Sequence, residues 1–117
     1  MHLVSDATGE TLTAIAKAVA AQYPSLKSIE HVHSLIRTQR QVKRVLDEIE
    51  KSPGIVLYTV VNRDLAGDID KKCRELNIPS LAVLHPVMQI FESYLGAPQT
   101  PTVAGQHVLD EIGRAHV

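Results

Sequence analysis

The sequence predicts an α/β domain: a Rossmann-like four-stranded parallel sheet with helices on both faces, in the order βαβαβαβα. Three observations predict it. Short apolar runs alternate with amphipathic stretches up to residue 96. The links between them are short, so consecutive strands must run parallel with a helix crossing over between each pair. The run Ile55–Val61 is apolar on both faces, as a central parallel strand covered by helices on both sides requires.

Each element has its own local warrant. His2-Leu3-Val4 reads as a strand that begins almost at the terminus. After Ser5-Asp6-Ala7-Thr8-Gly9-Glu10-Thr11, the residues Leu12, Ile15, Ala16, Val19, Ala20 and Tyr23 recur at helical spacing until Pro24 and Ser25 stop them. Ser28–Ile36 reads as a second strand, broken by polar side chains and therefore half exposed or at an edge. Thr38-Gln39-Arg40-Gln41 fits a capping box, and Val42, Val45, Leu46 and Ile49 then share one helix face. Ser52-Pro53-Gly54 closes that helix before the third strand, Ile55–Val61. Asn62–Leu76 follows as a helix with Leu65, Ile69, Cys73 and Leu76 inward, ended by Asn77 and Pro79. Ser80–Leu84 is the fourth strand, and Pro86 opens a last helix that runs through Tyr94 to a stop at Gly96.

Beyond Ala97 the periodicity ends, and residues 97–111 read as a linker leading to something else. Ile112–Val117 matches the translation of a common sequencing-library adapter (ATC GGA AGA GCA CAC GTC), so a non-native tail is expected there. The same codons in a genomic copy of the gene would overturn that expectation.

Composition narrows the function classes. The 117 residues are 44% hydrophobic and 21% charged, with a formal net charge of −1, which provides no basic field for nucleic acid. One cysteine, Cys73, forms no intrachain disulfide and fits a reducing, cytoplasmic setting. No apolar run is long enough for a membrane span. A single Phe and three Tyr offer no stacking platform for single strands.

In an open parallel sheet, ligands bind beyond the carboxyl ends of the strands, and four segments reach that edge. In the first, Gly9 allows close backbone approach, Ser5, Thr8 and Thr11 supply hydroxyls, and the helix start attracts an anion. Asp6 and Glu10 oppose a bare phosphate unless a basic group or metal joins them. Two readings stand here: a helix cap made by Thr8 or Asp6 with Glu10 on the dipole, or a cap that also touches a ligand. In the second, Arg37 and Arg40 could clamp a phosphate or carboxylate, against the plainer reading of a solvated face. The third, Asn62-Arg63-Asp64, reads as a helix cap, and the fourth is His85-Pro86, where the histidine is a ligand group or a polar cap.

His31 and His33 alternate along one strand and share a face, but no third ligand is apparent, so no metal is expected. Cys73 sits on an apolar helix face as a buried thiol. Neither Gly-x-Ser-x-Gly, Gly-x-Gly-x-x-Gly nor Gly-x-x-x-x-Gly-Lys-[Ser/Thr] occurs.

Five segments carry a resemblance. Leu3-Val4-Ser5-Asp6-Ala7-Thr8-Gly9-Glu10-Thr11-Leu12, Pro53–Thr59, Lys72–Leu76, Ser93–Gly96 and Gly105–Asp110 are similar, in that order, to the pyruvate, phosphate dikinase regulatory proteins. That family also includes the phosphoenolpyruvate synthase regulatory proteins. The resemblance implies a bifunctional enzyme acting on another enzyme. It would phosphorylate a Ser or Thr of the dikinase or synthase with ADP as donor, and reverse this with inorganic phosphate, releasing pyrophosphate. ADP and phosphate are then substrates of the whole protein, and no cofactor is expected on this segment.

The family's nucleotide loop, resembling Gly-Val-Ser-Arg-Thr-Ser-Lys-Thr, lies in a later domain, and no position here matches it. The opening motif does map onto Ser5, Asp6, Thr8, Gly9, Glu10 and Thr11, which implies a supporting role in phosphate or partner recognition. His85 departs from the acid that the family usually carries before the proline. The partners implied are the dikinase or synthase and the chain's own C-terminal domain, with a homodimer left open and no nucleic acid or membrane. The competing class is a non-enzymatic α/β ligand-binding or regulatory module. A receiver domain, its obvious version, needs an Asp where Asn62 and Arg63 stand.

Overall fold

In the computed structural model, which describes residues 1–96, eight elements alternate. They are β1 (His2–Ser5), α1 (Glu10–Ala20), β2 (His31–His33), α2 (Gln39–Lys51), β3 (Val56–Thr59), α3 (Arg63–Glu75), β4 (Ser80–Ala82) and α4 (His85–Leu95). All strand pairs are parallel and the spatial order is β2-β1-β3-β4. The α/β layer predicted by the alternating pattern is therefore present. The readings of residues 97–111 and 112–117, and the similar segment Gly105–Asp110, lie outside the described residues.

The two sheet faces are filled unequally. Val4, Val56, Tyr58 and Val60 point toward α2 and α3, where Val42, Val45, Ile49, Leu65, Ile69 and Cys73 complete the main core. On the other face Leu3 packs with Leu12 and Ala16 of α1, with Met1, Leu57 and Val83 around them. Strand alternation produces this division, because neighbours such as Leu3 and Val4 must face opposite ways. All four residues of β1 are buried, so β1 is as much a central strand as β3.

Several predicted boundaries shrink. The second strand keeps only His31–His33 of the expected Ser28–Ile36: Ile29 is exposed, and Leu35 takes a positive φ of 58°, which no strand accommodates. The third loses Ile55, which is half exposed, and ends at Thr59, short of Val61. The fourth stops at Ala82. α1 ends at Ala20, leaving Tyr23 exposed beyond it, and α4 begins one residue before Pro86. The predicted capping box is real, since Gln41 N–H donates to Thr38 Oγ1 and Gln41 Oε1 accepts from Thr38 N–H.

Candidate functional site at the carboxyl edge

The chain steps from β1 outward to β2, then returns to place β3 on the other side of β1. Crossovers therefore diverge above β1 and β3, which is where open α/β sheets bind ligands. The loop Asp6–Gly9 occupies that point.

Asp6 is 4% exposed and turns inward. Val61 N–H donates to its Oδ2 at 2.9 Å, and its own N–H donates to Thr59 O at 3.3 Å, so Asp6 spans the crevice and ties the end of β3 to β1. Burial pushes its carboxyl above the usual range, against the lowering effects of the Val61 bond and of Arg37. Ser5 is also buried, its hydroxyl accepting from Ala7 N–H at 3.0 Å. These two residues build the loop.

The expected cap on α1 is absent. Gly9 stands at the N-cap with φ 87°, and no side chain accepts from the first turn. Asp6 is committed to Val61, and Thr8 makes no capping bond. The amides of Glu10, Thr11 and Leu12 precede the first helical bond, Thr13 N–H to Gly9 O. Gly9 is required here twice over: its φ suits glycine, and a Cβ would lie 3.1 Å from Val32 Cγ1. The hydroxyls of Thr8 and Thr11 and the carboxylate of Glu10 remain exposed around this open turn.

Arg37 joins the loop and Arg40 does not. Leu35 N–H donates to Ala7 O and Ile36 N–H to Ser5 O, and Arg37 Nε donates to Asp6 O at 2.8 Å. Arg37 N–H also donates to Gln41 Oε1 at 2.8 Å, so the start of α2 is closed by its own residues. Arg40 is exposed and has no side-chain hydrogen bond among the described residues. The two arginines therefore form no clamp as placed. Arg37 alone brings positive charge to a loop that carries Asp6 and Glu10.

The remaining edge positions fall on the next crossover. Asn62 Oδ1 accepts from Asp64 and Leu65 N–H at 3.0 and 3.1 Å, so the cap reading of that segment holds. A cavity of about 570 Å³ opens at the carboxyl ends of β3 and β4, with Arg63 and His85 on its rim. Tyr58, Asp70 and Ser80 also line it. Sequence reasoning passed over these three. The spacing of Asp70 and Arg74, four apart on one helix and paired in the structure, was the one available signal. Burial, then the charge of Asp70, holds the Tyr58 hydroxyl above its ordinary range. His2 was missed as well. Its ring meets those of His31 and His33, and among the described residues no three His, Cys, Asp or Glu are arranged to hold a metal ion. No described helix is long and apolar enough to cross a membrane.

The sequence profile of a family described as kinase/pyrophosphorylase matches residues 1–116. Over 110 residues the chain is 56% identical to a pyruvate, phosphate dikinase regulatory protein of Bradyrhizobium diazoefficiens, covering 94% of this chain and 39% of that protein. Proteins of the same name from Sinorhizobium fredii and Rhizobium meliloti are 53% and 50% identical over the same length, each covered to 40%. The chain thus spans about two fifths of the length of the curated relatives it matches.

Proposed function

The chain belongs to the kinase/pyrophosphorylase family, and on that premise we propose that it forms the N-terminal α/β layer of a cytoplasmic enzyme that regulates pyruvate, phosphate dikinase. The names of its relatives favour the dikinase over phosphoenolpyruvate synthase as target. In this reading the whole protein transfers the β-phosphoryl group of ADP to a Ser or Thr hydroxyl of the dikinase, leaving AMP. In the opposite direction inorganic phosphate attacks the phosphoprotein, restoring the hydroxyl and releasing pyrophosphate. The nucleotide loop belongs to the part of the protein beyond this chain.

The role proposed for this layer is to hold a phosphoryl oxygen or inorganic phosphate at the Asp6–Gly9 loop. The observation that carries it is the uncapped first turn of α1 together with the Arg37 guanidinium on the same loop; α2 and α3 are capped by their own side chains, and α4, which also lacks a side-chain cap, opens on Pro86. Free amides and one guanidinium suit a tetrahedral oxyanion, and Thr8 and Thr11 hydroxyls can donate to its remaining oxygens. Asp6 acts behind the loop by fixing its shape.

The test pairs binding with activity. Inorganic phosphate titrated into this chain should shift the amide resonances of Glu10, Thr11 and Leu12, and Arg37→Ala should weaken that binding about tenfold, one charge-assisted contact's worth. The full-length protein should phosphorylate purified dikinase with ADP and lose most of that activity on the same substitution. A full-length protein inert on both dikinase and synthase would favour the binding-module reading.

A further inference from the structure

At the amino end of the sheet, opposite the candidate loop, three imidazoles meet. His2 and His31 are register partners on β1 and β2, and His33 lies beside Val4. The His2 ring is 1% exposed and stacks on His31 at 4.8 Å between centroids. Its contact with His33 is different. The facing nitrogens, His2 Nδ1 and His33 Nε2, are 3.0 Å apart, with centroids 5.3 Å apart and planes 13° apart. Those three values place the rings nearly end to end, as an in-line N–H···N bond requires.

The partners fix where the hydrogens lie. A carbonyl only accepts, so His2 Nε2 carries a hydrogen and donates to Ser52 O at 2.7 Å. Neutral His2 then has a bare Nδ1, and His33 Nε2 donates to it. His33 Nδ1 faces Glu48 Oε2 at 3.5 Å, so a first added proton goes there, forms an ion pair and leaves the in-line bond intact. A second proton must go to His2 Nδ1, where two N–H groups would then confront each other. The charged or titratable groups facing the pair are the Met1 ammonium just before β1, His31 on β2 and Glu48 on α2. Burial, the largest influence, holds both imidazoles below the usual histidine range.

What the pair restrains is an edge strand of three residues with Val32 half exposed. The same stretch of chain continues through Leu35 and Ile36, whose amides bond Ala7 and Ser5, to Arg37 on Asp6. We propose that the in-line His2–His33 pair is an acid-released latch: protonating His2 frees β2 and, with it, the connection that lays Arg37 over the β1–α1 loop. The latch is independent of what that loop binds.

Amide hydrogen exchange on this chain at about pH 7.5 and about pH 4 spans the ordinary imidazole range and the region below it, where burial holds this pair, and so tests the latch. After correction for intrinsic rates, protection of the His31, Leu35 and Ile36 amides should fall about tenfold at the lower pH, while Val56 and Ala66 keep theirs. His33→Gln should abolish this selective loss. Its amide donates to neutral His2 and, turned over, accepts from protonated His2. His31→Gln should leave the loss in place. Ring-nitrogen NMR of the unsubstituted chain should show His2 as the Nε2–H tautomer at neutral pH, whatever the variants do. Equal protection at both pH values, loss spread uniformly over β3 and α3, undiminished release in His33→Gln, or a doubly protonated His2 under a protected β2 would each overturn the latch.

Discussion

Asp6 carries the largest structural duty of any single residue in the candidate site, because it serves two strands at once. Asp6→Ala leaves the Val61 amide without an acceptor and should cost about 1–3 kcal/mol in urea unfolding. Asp6→Asn keeps an oxygen for that amide and removes a buried charge. Its stability relative to the native chain should depend on pH with a definite sign. The folded carboxyl titrates above its unfolded value, so the ionised form is penalised in the folded state. Stability from this group is present below the unfolded value and lost as pH rises through the folded one. Asp6→Asn should therefore gain on the native chain at neutral pH and lose that gain in acid. This bond also explains why the cap on α1 was misread. Local spacing offers Asp6 or Thr8 to the helix, whereas the partner that wins Asp6 lies 55 residues away.

Among the elements, α2 shows how far local chemistry alone can specify structure. Thr38 and Gln41 announce its start in the sequence, and the structure adds Arg37 N–H as a third donor satisfied there. Thr38→Ala should lower stability by about 1 kcal/mol in thermal or urea unfolding and fray the first turn. β2 is the opposite case. Its apolar residues at Ile29, Val32 and Leu35 suggest a long strand, yet all three are exposed, because only the β1 side has a partner. Strand length depends on what lies alongside, which period-two patterning does not report. The asymmetry between α3 and α1 has the same lesson. Asn62 caps α3 as its position implies, and the openness of α1 emerges only once each acceptor's long-range partner is known.

At the scale of the molecule, the fold class was legible because four strand–helix alternations with short links leave few topologies to consider. The spatial order β2-β1-β3-β4 was not predicted, yet it is what places Asp6 above the diverging crossovers. The cavity beside β4 was equally hidden, since Tyr58, Asp70 and Ser80 come from three elements and share no spacing. Both edges of the sheet are three-residue strands, short enough to give another chain little to pair with. The main core has a further use. Cys73 is the chain's single thiol, fully enclosed between α3 and the sheet, and burial pushes the thiol above its ordinary range. A thiol-reactive dye should label native protein at least about 10³-fold more slowly than unfolded protein, at a rate set by the opening of α3. Rapid labelling under native conditions would show that α3 parts from the sheet far more readily than its packing implies. Unmodified, the molecule thus carries its own unfolding clock.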